Sequence, residues 1–369
     1  MDEVKYWIGF NIVRGIGPAK FQALLDHFGD LQSAWEATAD ELRAAGLDRR
    51  ALRSLLSTRE KLDLDAQVTR LEKASVKVLT WQSPEYPERL RHIYHPPPVL
   101  YLRGSLTLAD EWSVAVVGTR RATVYGKEAA RHIASELART GVTVVSGMAR
   151  GIDATAHKAA LDSGGRTIAV LGSGVDVAYP AENRHLMLRV IEQGALLSEY
   201  ALGTPPEASN FPPRNRLISG LVQGVVIVEA AERSGALITA DYAVEQGRDV
   251  FAVPGNMFNR NSVGCNRLIQ QGAKLVLSVD DILEELNLTM VAQQQELQAV
   301  VPENETESQV LDLLSSDPLH VDEIVRRTAL PVSKVSSTLA LMELKGMVRQ
   351  VGGMNYILAR ESRPAYTVD

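Results

Sequence analysis

The chain has 369 residues, 45% of them hydrophobic and 23% charged. That balance excludes wholesale disorder and leaves room for two or three domains at roughly 100–200 residues each. The net charge of −6 excludes a basic coat over the whole surface, yet a local patch survives: 12 Lys/Arg face 9 Asp/Glu between Trp112 and Gly220.

A single cysteine, Cys265, excludes an internal disulfide and a cysteine-held metal. His92 and His95 are close in sequence, but Pro96, Pro97 and Pro98 follow at once and make that segment a loop. No metal or cofactor is expected. The first residues, Met1-Asp2-Glu3-Val4-Lys5, are neither basic nor apolar, and no run of about 18 apolar residues occurs. The expected setting is the reducing cytoplasm, with no membrane anchor.

In chain order, residues 1–75 are predicted as a helical domain. Leu24, Leu25 and Phe28 recur at helix spacing, as do Leu52, Leu55 and Leu56. Arg14-Gly15-Ile16-Gly17-Pro18-Ala19-Lys20 precedes an amphipathic helix. A glycine hairpin of this kind holds a DNA phosphate on backbone amides, with Lys20 beside it. A plain helix start, with Pro18 in its first turn, is the alternative. A Pro-rich connection over about 80–103 should cross a surface in extended form.

From Ser113 onward, short apolar runs alternate with helical stretches, at 114–117, 142–145, 167–171, 195–197, 225–228, 250–253 and 275–277. Continuous apolar strands between helices mean a parallel sheet covered on both faces, so 80–287 is predicted as one doubly wound α/β domain. Residues 288–308 are rich in Gln and Glu and are expected to be a linker. Residues 309–360 carry three helical stretches and a hairpin pattern, a winged helix-turn-helix. From Val301 to Asp369, 7 Lys/Arg face 10 Asp/Glu, which favours a protein-binding or regulatory role over weak duplex contact.

In an open α/β sheet, ligands bind beyond the carboxyl ends of the strands. Those ends read Gly118-Thr119-Arg120, then Ser146-Gly147-Met148-Ala149-Arg150-Gly151-Ile152-Asp153, then Gly172-Ser173-Gly174. Glycines admit close backbone approach, their amides form anion nests, and Arg120 and Arg150 can bond phosphate oxygens. Neither GxGxxG nor GxxxxGK[ST] is present. Several phosphate-sized nests without a cofactor motif point to a linear polyphosphate such as a nucleic-acid backbone.

Phe211-Pro212-Pro213-Arg214-Asn215-Arg216 adds a ring among cations, the pairing that binds single strands. Arg214 and Arg216 either touch phosphate or pack inside. Ser234 is a natural N-cap and a further candidate contact, as is Arg267. Glu199 and Glu229 end two strands. They either form an acid/base pair for glycosidic hydrolysis or bind loop amides and arginines.

Together these stretches resemble the DprA/Smf (DNA processing protein A) family, in order from about 85 to 285. Tyr125-Gly126, Ala156-His157, Tyr179-Pro180, Asn183 and Val253-Pro254-Gly255-Asn256 belong to the same likeness. The resemblance implies an extended Rossmann-like domain between an N-terminal helical (SAM/HhH-like) domain and a C-terminal winged-helix domain. It implies a non-catalytic homodimer that binds incoming single-stranded DNA during natural transformation and loads the RecA recombinase onto it. It also places Gly118, Thr119, Arg120, Ser146, Gly147 and Phe211 in the strand-binding pocket. One departure stands out: family members carry Lys three residues before that Phe, where this chain has Ala208, next to Glu207. The alternative is a phosphoribohydrolase-like nucleotide enzyme, but its Pro-Gly-Gly-x-Gly-Thr loop is replaced by Pro254-Gly255-Asn256. A winged-helix transcription factor is disfavoured by the acidic C-terminal unit.

Overall fold

The apolar runs become strands because each is buried on both faces of a sheet. The structure, a computed structural model, describes residues 3–288, 304–315, 317–344 and 347–358. It divides into two compact units, residues 1–289 and 290–369.

The first unit is built on a nine-stranded sheet. Its strands are β1 (Lys77–Thr80), β2 (Val99–Gly104), β3 (Ser113–Val117), β4 (Thr143–Ser146), β5 (Thr167–Val170), β6 (Gly194–Ser198), β7 (Gly224–Ile227), β8 (Asp249–Ala252) and β9 (Lys274–Leu275). Their order is β1-β2-β6-β5-β4-β3-β7-β8-β9, and β3 to β9 pair in parallel. The chain winds outward from β3 to β6, then returns to the other side of β3 to build β7, β8 and β9. That reversal is the switch point at which such sheets bind ligands.

One expectation is corrected here. The Pro-rich connection is not merely an extended crossing, because it contributes β2 and follows directly on β1. β2 pairs antiparallel with both β1 and β6, so the sheet is mixed at this edge. Val99, Leu100, Tyr101 and Leu102 are all buried, which pulls the segment into the sheet despite its prolines. The tyrosine Oη of Tyr86 donates to the Pro97 carbonyl at 2.8 Å and anchors the proline run itself. At the opposite edge, the run expected over 275–277 shortens to the two-residue β9.

Six helices between Val4 and Lys73 precede the sheet. They carry an aromatic cluster, with Phe10 against Trp35 at 5.2 Å and Trp7 against Phe21 at 5.8 Å between ring centroids. Trp81, which follows β1, sits 6.0 Å from Trp7. The cluster runs on without a break into Tyr101 of β2, Leu196 of β6 and Met148. Helices and sheet therefore share one core.

In the second unit, helices Glu305–Leu311, Val321–Thr328 and Val332–Leu344 pack with β10 (Leu319–His320), β11 (Val348–Gln350) and β12 (Asn355–Leu358). β12 lies between β10 and β11 in an antiparallel sheet. Val310, Ile324, Val335, Leu339 and Val348 form the core. Most of the linker expected over 288–308 lies outside the described residues, as do Lys345 and Gly346. The linker's last residues, from Glu305, belong to the first helix.

His157, on helix Ile152–Asp162, is fully buried beside β5. Thr167 Oγ1 donates to the Val144 carbonyl at 2.6 Å, so at 2.7 Å His157 Nδ1 is the donor to Thr167 Oγ1. The ring is neutral, and burial holds its pKa down to about 3.

Three outcomes are expected. Phe10→Ala empties a fully buried site and should cost about 3–5 kcal/mol. Urea unfolding followed by circular dichroism and tryptophan fluorescence should show helices and sheet melting in one transition; separate transitions would refute a shared core. For His157, the unfolded ring binds a proton below about 6.5 while the folded ring does not. Stability is therefore lost as pH falls from about 6.5 toward about 3, at ~1.4 kcal/mol per pH unit. Between pH 6.5 and 5, His157→Asn should flatten that slope in denaturant titrations.

Candidate nucleic-acid interface

A cleft of about 470 Å³ opens at the carboxyl ends of β3, β4 and β7. Of the candidate residues, it gathers Gly118, Arg120, Phe211, Arg214, Asn215 and Ser234, with Tyr179, Asp153 and Ala208 also on its wall.

Phe211 opens helix Phe211–Leu221 and is half-buried. The Arg120 guanidinium lies over its ring, 5.0 Å from the centroid, and the Tyr179 ring is 5.5 Å away. Arg120 is exposed and has no carboxylate partner among the described residues. Gly172 lies against Phe211, since a Cβ there would come within 2.9 Å of the ring. Asn215 Nδ2 donates to the Gly235 carbonyl at 3.2 Å. Ser234 caps helix Gly235–Glu245 by accepting the Ala236 amide at 3.3 Å.

Arg214 reaches the cleft wall from below. It is only 3% exposed, and Nη1 donates to the carbonyls of Gly147, at 2.9 Å, and Val170. Burial pulls its pKa down to about 10, which leaves it charged at neutral pH. Gly147 must lack a side chain, because a Cβ would sit 2.8 Å from the guanidinium.

The loop after β4 is a nest, but the carboxyl in it belongs to the chain. Asp153 Oδ2 accepts the amides of Gly147 at 3.1 Å and Ala149 at 3.3 Å. Burial pushes the Asp153 carboxyl up, against the pull of Arg214. Gly151 stands at φ +78°, and a Cβ there would lie 2.3 Å from the Thr119 carbonyl. That contact locks the loops after β3 and β4 together.

The remaining candidates do not line the cleft. Thr119 is a turn residue whose amide donates to the Glu229 carbonyl at 2.7 Å. Ser146 is buried, its hydroxyl donating to the Val116 carbonyl at 2.7 Å. Arg150 forms a two-pronged pair with Glu182 at 2.9 and 2.8 Å. The Gly174 amide donates to the Thr204 carbonyl at 3.0 Å. Arg216 packs inside, as its alternative had it, bonding Glu199 at 2.9 and 2.7 Å. Lys20 donates to the Gly15 carbonyl at 2.7 Å and pairs with Asp48, whose pKa the lysine holds down to about 2. Arg267 pairs with Glu232 at 2.9 Å.

Glu229 is buried and accepts the Thr123 amide at 2.9 Å and the Thr123 hydroxyl at 2.6 Å. Both strand-end glutamates thus carry structural bonds. Sequence reasoning missed Asp153 as the occupant of the nest and Tyr179 as a partner of Phe211. The tyrosine in a glycine-bearing loop was the available signal for the second.

Comparison with known proteins places this geometry. The model of the DNA recombination-mediator protein A family matches residues 77–287, and that of the DprA winged helix domain matches residues 294–354. Protein Smf of Synechocystis is 35% identical, covering 96% of this chain and 98% of the relative. DNA processing protein DprA of Bacillus subtilis is 45% identical over 57% of this chain and 71% of the relative. The crystal structure of DprA from Streptococcus pneumoniae superimposes with a TM-score of 0.68 at 36% identity, over 76% of this chain and 97% of that one. A Helicobacter pylori DNA processing protein A, described for its single-stranded DNA binding mode, gives 0.53 at 30% identity, over 58% and 96%. This chain belongs to the DprA/Smf family, with a role in DNA processing and recombination.

Proposed function

We propose that the cleft binds one unpaired DNA strand, with Arg120 on its phosphates and Phe211 beneath a base. The observation that carries this reading is the Arg120–Phe211 pair: an exposed guanidinium without a carboxylate partner among the described residues, 5.0 Å from a half-buried ring. A cation for the backbone and a ring for a base are the two elements of sequence-tolerant single-strand binding, and each stacked base contributes about 1–3 kcal/mol. The single-strand binding described for the Helicobacter pylori relative supports the same ligand.

Binding is the whole task of the cleft on this reading, and no bond is made or broken there. Hydrolysis needs a carboxylate free to move a proton. Glu229 is held by Thr123 and Glu199 by Arg216, which supports a binding role instead. Family membership supports the wider function: a cytoplasmic homodimer that protects incoming strands during transformation and delivers RecA to them.

Anisotropy titration of a labelled oligothymidine of about 16 nucleotides, against the matching duplex at two salt concentrations, tests the reading. The single strand should bind at least about tenfold tighter than the duplex. Arg120→Ala should weaken it about tenfold or more and lower the slope of log K against log salt by about 0.7. Equal affinity for both nucleic acids, or none for the single strand, would overturn the proposal. Ala208 lines the same cleft, at the position where the family resemblance implies a lysine. Ala208→Lys should tighten binding and steepen the slope by about 0.7, while Glu207 beside it limits the gain.

A further inference from the structure

Arg120 lines the cleft, and the sheet's rim continues past it toward β8. There the loops 119–126 and 254–262 lie side by side. The Tyr125 hydroxyl donates to the Pro254 carbonyl at 2.8 Å, and Asn261 Nδ2 donates to the Arg121 carbonyl at 3.1 Å. The loop after β7 locks into both: the Thr119 amide bonds the Glu229 carbonyl, and the Ala230 amide bonds the Asn261 carbonyl at 2.8 Å.

This fixed backbone displays an unusual surface. Phe258 is 86% exposed, and Tyr125 50%. Large apolar side chains held open to water on rigid loops mark a contact surface. Arg121 and Arg260 are exposed as well, with no carboxylate partner among the described residues. On the same rim Arg267 has its carboxylate, Glu232, so unpaired guanidinium groups are not the general state there. Exposed rings among unpaired arginines suit stacked bases and a phosphate backbone.

We propose that this platform takes the next nucleotides of the same DNA strand, which leaves the cleft over Arg120, passes Arg121 and Tyr125, and lies across Phe258 and Arg260. The charge fits a polyanion, and the path is continuous because Arg120 and Arg121 are adjacent residues. The proposal rests on the reading of the cleft as a single-strand site.

The full chain is titrated with labelled oligothymidines of about 4 and about 16 nucleotides, spanning the footprints of single-strand sites. The unaltered protein should bind the longer one more tightly. Phe258→Ala should weaken the longer oligonucleotide about tenfold and the shorter by less than about twofold, with Phe258→Tyr restoring the loss. The double variant Arg121→Gln/Arg260→Gln should lower the salt slope for the longer one by about 1.4 and leave that for the shorter unchanged. If both variants bind the longer oligonucleotide as the unaltered protein does, the platform is not a DNA surface and its rings await a protein. If the unaltered protein binds neither oligonucleotide, the cleft reading itself falls, and the platform with it.

Discussion

A guanidinium withdrawn from water must find acceptors, and the ones it finds become fixed points. Arg214 is that group here. It donates to the carbonyls of Gly147 and Val170, which follow or end the adjacent strands β4 and β5, and it lies near the Asp153 carboxyl. Asp153 in turn gathers the amides of the loop after β4. Phe211 starts the helix that carries Arg214, and the guanidinium lies 5.7 Å from its ring. One buried cation thus sets the position of the aromatic floor and the shape of the loop beside it.

The parallel strands were legible because burial on both faces leaves no room for polar alternation, so β3 to β8 read as plain apolar runs. β1 and β2 were not. The stretch between them is punctuated by Pro84, Pro87 and Pro96 to Pro98, and local punctuation says nothing about a distant partner such as β6. In the site, Arg120 and Phe211 were readable as a cation and a ring on a glycine-bearing rim. Arg214 and Arg216 could not be separated, since two arginines two residues apart differ only by a rotation of roughly 200° about the helix. That rotation sends one under the sheet's rim and the other to Glu199. Asp153 could not be identified either, because its role appears only when the loops after β3 and β4 close over it.

The charges on the rim explain how an acidic chain presents a cationic spot. Glu199, Glu229, Asp153, Asp176 and Glu182 all lie near strand ends, and each faces an internal donor: Arg216, Thr123, backbone amides, Gly203 with Arg70, and Arg150. Their negative charge is answered locally. The net charge of −6 then matters little at the cleft, since exposed charges more than about 10 Å away are screened at ordinary salt. What a ligand meets at close range is Arg120.

The two sides of the switch point differ in kind. Toward β5 the loops close on themselves: Asn183 Nδ2 holds the Met148 carbonyl at 2.9 Å, and Asp176 holds the Gly203 amide at 2.8 Å. Toward β8 they are equally well tied but turn rings and guanidinium groups outward. On the proposed reading this asymmetry gives the strand a direction of exit. It also gives a reason to reject duplex. Phe211 is half-buried at the floor of the cleft, so a base reaches it only after leaving its neighbours, and extracting a paired base from a duplex costs a few kcal/mol that an unpaired strand does not incur. Arg120 contributes to either nucleic acid through phosphate, so preference for the unpaired strand resides in the depth of the ring rather than in the charge above it.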